Sequence, residues 1–360
     1  MASHRPLQVH VPPRAPADHS QFCLVLCSTL MPADSPTLDA KVAFLRGSCG
    51  PDDEAIETHF AWVFLIDDRA WKLRKPVRRD TMDYGSLEAR RLDSLEEIRL
   101  NRRLAPDVYL GTAPLTLTAD GQLAIDGQGE IVDWLVCMRR LDRSRLLEAQ
   151  LAQGSVKPES LRPVVRLLAD FYRTAAPAIS DGPAFVARVG RQVEANHRVL
   201  APAGVAGNEE LLALQREFIA KHSSLLVQRA ASGCVVEAHG DLRPEHVYLD
   251  DSPAIIDCLE FDRDLRVLDR AEELSFLHLE CARIGHEVTG RALLRGCLAE
   301  LADHATDALL HFYRSHRATT RAKLYVWRAS EPDGGTRREW LDLAGECVRR
   351  ALEDSARSLD

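Results

Sequence analysis

Two short segments of the sequence carry carboxylates in a pattern that could do chemistry. The first runs from His239 to His246 and reads His-Gly-Asp-Leu-Arg-Pro-Glu-His, with Asp241 at its third position. The second follows a predicted hairpin and carries Asp257 and Glu260. Phosphoryl transfer uses two such carboxylates, because one orients the attacking hydroxyl and accepts its proton while the other holds a divalent cation against the phosphates. The plainer interpretation is that Asp241 lies in a turn and Asp257 ends a strand.

These two segments strongly resemble the catalytic loop and the metal-binding segment of protein kinases and aminoglycoside phosphotransferases. The resemblance implies that Asp241 is the catalytic carboxylate, that Asp257 binds Mg²⁺, and that ATP is the phosphoryl donor. Gly240, after His239, is the form found in aminoglycoside phosphotransferases, where protein kinases usually carry Arg. This glycine favours a small molecule over a protein as the acceptor.

A kinase also needs a strand lysine that reaches the α- and β-phosphates of the nucleotide. Lys72 alternates with bulky neighbours on a predicted strand and is the candidate, with Lys75 as its competitor. No glycine-rich G-x-G-x-x-G loop precedes this hairpin. Thr58 and His59 stand where that loop would turn and could donate hydrogen bonds to phosphate, or be simple strand residues. Met138, at the end of the last predicted strand of this region, completes the predicted nucleotide-binding set.

A helix glutamate should fix that lysine, and Glu97 is the preferred candidate. It shares a helix face with Leu100 and Leu104, at spacings of three and seven residues. Glu88 and Glu96 could serve instead. The four residues that end at Glu97 also spell a capping box, which would give this glutamate a purely local role.

The candidate metal ligands are Asp257, His246 and Glu260, with Glu245 nearby as a further oxygen donor. His246 stands five residues after Asp241, where related kinases usually carry an Asn that binds magnesium. Imidazole is a poor ligand for Mg²⁺, so the site could prefer Mn²⁺, use one metal or be weakened. This histidine also supports the main alternative, a nucleotide-binding pseudokinase that transfers no phosphate.

A protein Ser/Thr kinase is the less favoured alternative. Only residues 262 to 268 separate the metal segment from the next predicted helix. That link leaves no room for a peptide-docking activation segment.

Further stretches extend the resemblance to a bacterial subfamily of aminoglycoside-phosphotransferase-like proteins, over roughly residues 40 to 330. The stretches that carry it are Glu57 to His59, Lys72 to Val77, Leu100 to Gly111 and the loop from His239 to His246. Some members of that subfamily carry a second, P-loop kinase domain, but this sequence contains no G-x-x-x-x-G-K-[ST] motif. The resemblance implies a phosphotransferase fold and ATP, but no established acceptor.

The elements that must position these residues follow from the apolar periodicity. Strands are predicted over residues 60–66, 70–77, 114–118, 122–125, 131–138, 235–238, 247–249 and 254–256. Helices are predicted from a Ser86 cap to about Leu104, around residues 161–172, from Asn208 to beyond Leu226, and over most of the remainder. This order predicts an α+β, protein-kinase-like two-lobed fold, with an antiparallel-sheet N-lobe and a mainly helical C-lobe. The predicted boundaries are a disordered tail over 1–36, an N-lobe over 37–138 and a C-lobe over 139–360, with residues 1 to 30 dispensable and Met31 as an alternative start.

Composition narrows the class of partner. The 360 residues carry a net charge of −8, which argues against nucleic acid as the main partner. No run approaches the roughly 18 apolar residues of a membrane-spanning helix, so no membrane role is expected. Nine scattered cysteines without C-x-x-C spacing, and an N-terminus without a signal-peptide pattern, predict a reduced cytoplasmic protein. The oligomeric state stays open.

A late helix suggests the charge of the acceptor. Arg314, Arg317, Arg321 and Arg328 recur at helical spacing and share one face, and Arg317 and Arg321 are the candidate substrate contacts. In phosphotransferases of this fold, the C-terminal helices flank the acceptor pocket. Guanidinium groups suit carboxylate or phosphate, so an anionic or neutral acceptor is predicted rather than a polycationic antibiotic. The alternative is that these arginines are solvated or pair with acidic helices.

Overall fold

The computed structural model describes residues 35–50, 54–79, 82–330 and 336–360. The predicted disordered tail and the alternative start at Met31 therefore lie almost wholly outside the described residues. The strands are β1 (Glu54–Glu57), β2 (Ala61–Ile66), β3 (Arg69–Arg74), β4 (Arg78–Arg79), β5 (Met82–Asp83), β6 (Tyr109–Leu117), β7 (Leu123–Ile125), β8 (Glu130–Arg139), β9 (Val235–Glu237), β10 (Val247–Tyr248), β11 (Ala254–Ile255) and β12 (Val267–Asp269). The helices are α1 (Leu38–Gly47), α2 (Leu87–Asn101), α3 (Leu147–Ala152), α4 (Pro158–Thr174), α5 (Gly182–Leu200), α6 (Asn208–Lys221), α7 (Ser223–Ala231), α8 (Arg263–Arg266), α9 (Arg270–Arg283), α10 (Glu287–Glu300), α11 (Asp307–Arg328) and α12 (Arg337–Leu359).

The first part of the chain forms an antiparallel sheet with strand order β1-β2-β3-β8-β6-β7. Lys72 on β3 lies opposite Val63 on β2 and Val136 on β8, in the middle of the sheet. Helix α2 packs against β6 and β8, and Ser86 caps it by accepting a hydrogen bond from the backbone of Ala89 at 3.1 Å. The Ser86 cap is thus where the sequence predicts it.

Several element boundaries differ from the prediction. Strand β3 ends at Arg74 rather than at residue 77, because Pro76 has no N–H with which to continue a ladder. Strand β6 begins at Tyr109, five residues before the predicted start at Pro114, and includes a register shift between Tyr109 and Gly111. An irregular strand of this kind weakens the alternating pattern on which the prediction relied.

Helix α1 was not predicted. Thr37 caps it at 3.2 Å from the backbone nitrogen of Ala40, and Leu45 packs with the sheet residues Phe64, Leu73 and Leu135. The helix also buries Lys41, a residue type that normally marks a solvated face. Leu38, Val42 and Leu45 recur at helical spacing, so the sequence carried a signal for this helix that the prediction missed.

The second part of the chain is mainly helical and packs around α9, whose residues 271–281 are all buried. Residues 208–231 form two helices instead of the predicted one, because the backbone leaves helical geometry at His222, with φ −114° and ψ 22°. The hydrophobic pattern continues through this break, so periodicity alone did not reveal it.

The architecture is the predicted α+β, protein-kinase-like fold, with an antiparallel-sheet N-lobe and a mainly helical C-lobe. The small hairpin of β10 and β11 is inserted among the helices and carries the chain towards Asp257. Among the described helices, none combines the length and apolar character needed to cross a membrane.

Candidate active site

The loop after β9 is held by a buried carboxylate from α9. Glu273 accepts hydrogen bonds from the backbone nitrogens of His239, at 3.1 Å, and Gly240, at 2.5 Å. Tyr172 on α4 donates its hydroxyl to the same carboxylate at 2.5 Å. Two helices therefore fix the backbone directly before Asp241.

Gly240 is required by its backbone and by its surroundings. Its φ is +89°, in the left-handed region that side-chain-bearing residues rarely adopt. A Cβ at this position would lie 2.9 Å from the Cβ of Arg266 and 3.1 Å from that of Leu259. Arg317 reaches the carbonyl of Gly240 at 3.1 Å. The glycine therefore has a local steric cause, independent of any resemblance.

His239 links this loop to the strand that precedes Asp257. Its Nε2 lies 2.9 Å from the carbonyl of Ile256, and its Nδ1 accepts a hydrogen bond from the backbone of Asp241 at 3.3 Å. Burial, followed by the nearby His246, lowers the pKa of His239 to about 4. The imidazole is therefore neutral at pH 7, with its proton on Nε2.

Asp241 presents its carboxylate beside the guanidinium of Arg243. Its side chain is about one-third exposed, at 33%, and Oδ2 lies 3.1 Å from the guanidinium of Arg243. Arg243 also binds Glu245 at 2.7 Å. Sequence reasoning missed Arg243, although its place two residues after Asp241 in a catalytic-loop pattern is a signal that could have indicated it.

Asp257 occupies a strained backbone position, with φ +60° for a residue that carries a side chain. Its N–H donates to the hydroxyl of Tyr109 at 3.0 Å. Its carboxylate lies 3.6 Å from Lys72 and 3.5 Å from Nε2 of His246. The side chain of Asp257 is 52% exposed; desolvation within the site would raise its pKa, but Lys72, followed by His246 and His239, brings the pKa well below its usual value. The carboxylate is therefore ionised and directed at the site.

Lys72 pairs with Glu97 at 2.9 Å, which joins the centre of β3 to α2. Burial would lower the pKa of Lys72, but Glu97, then Glu260 and Asp257, hold it above its usual value, so the ammonium is charged. The competing Lys75 instead binds Glu57 at 2.6 Å.

The other helix glutamates face different partners. Glu88 binds Arg91 at 3.1 Å, and Glu96 binds Arg99 at 2.7 Å. The hydroxyl of Ser94 donates to the carbonyl of Arg90 inside the helix, so the capping box that the sequence also allowed is not formed.

Thr58 uses its hydroxyl within the turn between β1 and β2. Its Oγ1 donates to the carbonyl of Ala61 at 2.9 Å and accepts from the nitrogen of the same residue at 3.1 Å. His59 lies at the tip of that turn, with Nδ1 3.2 Å from Arg328. Met138 is half-buried against the cluster that contains Tyr109 and lies opposite Ala70 on β3.

The metal-ligand candidates divide into two groups. His246 places Nδ1 2.8 Å from the backbone carbonyl of Asp241, while its Nε2 lies 3.3 Å from the guanidinium of Arg243 and 3.5 Å from the carboxylate of Asp257. A separation of 3.5 Å between Nε2 and the Asp257 carboxylate suits two neighbouring ligands of one divalent cation. Glu260 and Glu245 are instead engaged by Arg74, at 2.9 Å, and by Arg243.

No cluster of three or more His, Cys, Asp or Glu side chains suited to a metal occurs in the described part of the chain. A cation at Asp257 and His246 would therefore need further ligands from outside the protein, as Mg²⁺ commonly obtains from water and substrate phosphates.

The arginines of α11 all have partners among the described residues. Arg317 stacks over Phe276 at 4.2 Å and lies 3.9 Å from Glu272, in addition to its bond with Gly240. Arg321 binds the buried Glu280 at 3.1 Å. Arg314 pairs with Asp354 at 3.2 Å. Pairing with acidic helices, the alternative that the sequence left open, thus describes much of this face.

Arg321 also lines a cavity of about 140 Å³ between α9, α11 and α12. Its polar lining comprises Glu280, Arg283, Arg321, Tyr325, Glu346 and Arg350. One carboxylate oxygen of Glu280 and the Nε of Arg321 are buried there without hydrogen-bond partners. Both are atoms that a polar ligand would satisfy.

No family model matches the chain. Uncharacterized proteins of Mycobacterium bovis and Mycobacterium tuberculosis are 32% identical to it over 305 residues, which is 83% of this chain and 59% of each of those proteins. The chain thus spans about three-fifths of the length of these relatives.

Similar solved structures include a choline/ethanolamine kinase family protein from Mesorhizobium loti, with a TM-score of 0.49 and 13% identity over 86% of this chain and 93% of that one. An ethanolamine kinase from Plasmodium vivax has a TM-score of 0.47 and 10% identity, over 83% of this chain and 81% of that one. An aminoglycoside phosphotransferase from Streptomyces rimosus has a TM-score of 0.43 and 17% identity, over 78% of this chain and 97% of that one.

Proposed function

We propose that this protein-kinase-like chain is an ATP-dependent phosphotransferase that transfers the γ-phosphoryl group to a hydroxyl of a small molecule. One observation carries the proposal. The ionised Asp257 lies between Lys72, which pairs with Glu97, and His246. His246 in turn lies next to Asp241 in the loop after β9. Lys72 lies 2.9 Å from Glu97 and 3.6 Å from Asp257, while His246 lies 3.5 Å from Asp257 and 4.0 Å from Asp241. These are the groups that phosphoryl transfer needs, held by a strand, a helix and two loops.

In the proposed reaction, the acceptor oxygen attacks the γ-phosphorus while the bond to the β,γ-bridging oxygen breaks, and ADP leaves. Asp241 orients the hydroxyl and accepts its proton. Lys72 binds the α- and β-phosphates, and Arg243 stabilises negative charge near the transferred group. Asp257 and His246 would hold the divalent cation, which when bound supplies positive charge to the phosphate oxygens.

The imidazole of His246 bears on the identity of that cation. Mg²⁺ prefers oxygen ligands, whereas Mn²⁺ binds imidazole more readily. A site of one carboxylate and one imidazole therefore favours Mn²⁺ more than the usual carboxylate and amide pair would. The proposed cofactors are ATP with Mg²⁺ or Mn²⁺.

The acceptor is proposed to bind in the cavity beside Arg321. The guanidinium groups of Arg283, Arg321 and Arg350 exceed the carboxylates of Glu280 and Glu346 by one charge, which favours an anionic or neutral molecule over a polycation. Arg317 also remains a proposed acceptor contact, although its observed bond is to the carbonyl of Gly240.

The proposed setting is the cytoplasm. The cysteines of the described segments, which are Cys49, Cys137, Cys234, Cys258, Cys281, Cys297 and Cys347, are all unpaired. Unpaired thiols fit a reducing compartment.

A nucleotide-binding regulator without transfer is the second candidate. It is favoured by His246, which replaces an expected oxygen ligand, and by Arg243, which engages the carboxylate of Asp241 at 3.1 Å. In this case the chain would bind ATP without transferring phosphate, and Asp241 would have no catalytic role.

Two measurements on one preparation separate the candidates. Binding of a fluorescent ATP analogue is titrated first, and ATP consumption is then followed with panels of sugars, amino alcohols and hydroxy acids, with Mg²⁺ and with Mn²⁺. The phosphotransferase predicts acceptor-dependent consumption that Asp241→Asn abolishes. Binding without consumption under every condition would support the regulator and contradict the enzyme.

A further inference from the structure

Arg74 is a buried cation that lies next to the proposed nucleotide site but has no role in the proposed reaction. It follows Lys72 by two residues on β3, so both side chains project from the same face of the sheet. The side chain of Arg74 is only 1% exposed, and its guanidinium lies over the ring of Tyr84 at 5.0 Å. A guanidinium so deeply buried requires several partners to offset its desolvation.

Three carboxylates from two segments of the chain surround that guanidinium. Its Nε lies 2.5 Å from Asp93, and one terminal nitrogen lies 2.5 Å from Glu97 and 2.9 Å from Glu260. Asp93 and Glu97 belong to α2, whereas Glu260 lies three residues after Asp257. Arg74 therefore joins the sheet to the helix and to the segment that carries the proposed metal ligand.

The same carboxylates also surround Lys72. Its ammonium lies 2.9 Å from Glu97, 3.6 Å from Asp257 and 3.8 Å from Glu260. Arg74 takes the second oxygen of Glu97 and lies closer to Glu260 than Lys72 does, at 2.9 Å against 3.8 Å. Arg74 thus contacts Glu260 and one oxygen of Glu97, whereas Lys72 contacts the other oxygen of Glu97 and lies near Asp257.

We propose that Arg74 is a positioning residue that keeps Glu260 and one carboxylate oxygen of Glu97 away from Lys72. The ammonium of Lys72 then stays available to the nucleotide phosphates. Without Arg74, the nearest cation for both buried carboxylates is Lys72. A buried carboxylate without a partner is costly, so Glu260 would close the 3.8 Å gap. The phosphates would then have to displace a carboxylate before they could bind.

This inference rests on the proposed function, because it assigns Lys72 to the nucleotide, and the test separates the two claims. Affinity for a fluorescent ATP analogue is measured for the wild type, Arg74→Gln, Glu260→Gln and the double variant. Arg69→Gln on the same strand is the matched control, since Arg69 is 41% exposed and contacts only the exposed Asp68 among the ion pairs described.

Arg74→Gln should weaken nucleotide binding by about tenfold or more, and adding Glu260→Gln should restore most of that loss, because the stranded carboxylate has gone. Arg69→Gln should bind like the wild type. A purely structural Arg74 predicts the opposite for the double variant, since removing a second buried partner would damage the site further. The proposal would be overturned if the double variant binds nucleotide no more tightly than Arg74→Gln, or if Arg74→Gln binds it as tightly as the wild type.

If Arg74→Gln does not fold, the comparison is made between Arg74→Lys and Arg74→Lys with Glu260→Gln, where the same recovery is expected and its absence has the same meaning. If the folded wild type binds no nucleotide, the proposed function fails. The positioning claim is then judged by amine labelling of Lys72, which should be slower in Arg74→Gln than in the double variant. Equal labelling rates would overturn it.

Discussion

At the scale of single residues, Asp241 and Asp257 face different partners. The carboxylate of Asp241 lies beside Arg243 and the catalytic loop, whereas that of Asp257 lies between Lys72 and His246. In the proposed reaction, the first serves the acceptor hydroxyl and the second serves the cation and the phosphates. Replacing each carboxylate should therefore have a different effect.

Asp241→Asn should lower phosphoryl transfer by about 100-fold or more, with little change in ATP affinity, because it removes only the proton acceptor. Asp257→Asn should weaken metal-dependent ATP binding itself by about tenfold or more. Titrations of nucleotide with and without the cation, alongside rate measurements, test this. Equal losses of ATP affinity in both variants would contradict the assigned roles.

His246→Asn replaces the imidazole next to Asp257 with an amide oxygen. Because Mg²⁺ prefers oxygen ligands, activity with Mg²⁺ should rise relative to activity with Mn²⁺. The ratio of the two rates is the measurement. Loss of all activity with both metals would show that the main role of His246 is to hold the loop, through its bond to the carbonyl of Asp241 at 2.8 Å, and not to bind the cation.

His239 should make the protein sensitive to acid. Burial lowers its pKa from 6.5 to about 4, so the unfolded chain takes up this proton at a higher pH than the folded chain does. The stability that depends on the neutral imidazole is full above pH 6.5 and is lost as pH falls towards 4, by about 3 kcal/mol in total. His239→Gln should reduce this pH dependence in urea unfolding, whereas the exposed His304→Gln should not. An unchanged slope in His239→Gln would show that the buried imidazole is not responsible.

At the scale of elements, α1 and α2 are tied to the sheet by one buried carboxylate. Asp133 on β8 accepts from Lys41 at 2.7 Å and from Arg90 at 2.8 Å and 3.1 Å, and all three residues are buried. The pairing holds α2 in place and, with it, Glu97. A change at Asp133 should therefore affect stability before it affects chemistry.

Asp133→Asn leaves two buried cations without a full charge partner and should lower the free energy of unfolding by about 3–5 kcal/mol. Asp83→Asn is the matched control, because Asp83 pairs with Arg78 at an exposed site and should cost less than about 1 kcal/mol. Urea denaturation measures both. Similar small losses would indicate that the buried pairing contributes little.

Sequence patterns located the elements whose signals are local. The Ser86 cap and the turn between β2 and β3 each depend on neighbouring residues, and the structure has both where predicted. Patterns failed where tertiary contacts override them. Lys41 is buried because a distant carboxylate receives it, and no rule based on nearby residues could place Arg74 against Glu260. The choice among three helix glutamates was likewise settled only by the fold, which directs Glu97 towards Lys72.

At the scale of the whole molecule, the helical part is proposed to set the charge of the acceptor. If the cavity beside Arg321 holds the acceptor, aminoglycosides should be poor substrates, because they would bring several positive charges to a wall with three guanidinium groups. Once an acceptor is known, Arg321→Ala should raise its KM more than it lowers kcat. Efficient turnover of kanamycin-like compounds, or an unchanged KM, would contradict this placement.

The direct test for phosphoryl transfer is whether label from γ-labelled ATP enters a small-molecule extract of mycobacterial cells, with Mn²⁺ and Mg²⁺ present. The wild type and Asp241→Asn are compared at matched nucleotide occupancy. If Asp241 serves phosphoryl transfer, the wild type forms a new labelled organic phosphate, and Asp241→Asn forms about 100-fold less or lower still. No labelled product from a wild type that binds ATP, or equal labelling by both proteins, would contradict the claim that Asp241 serves phosphoryl transfer.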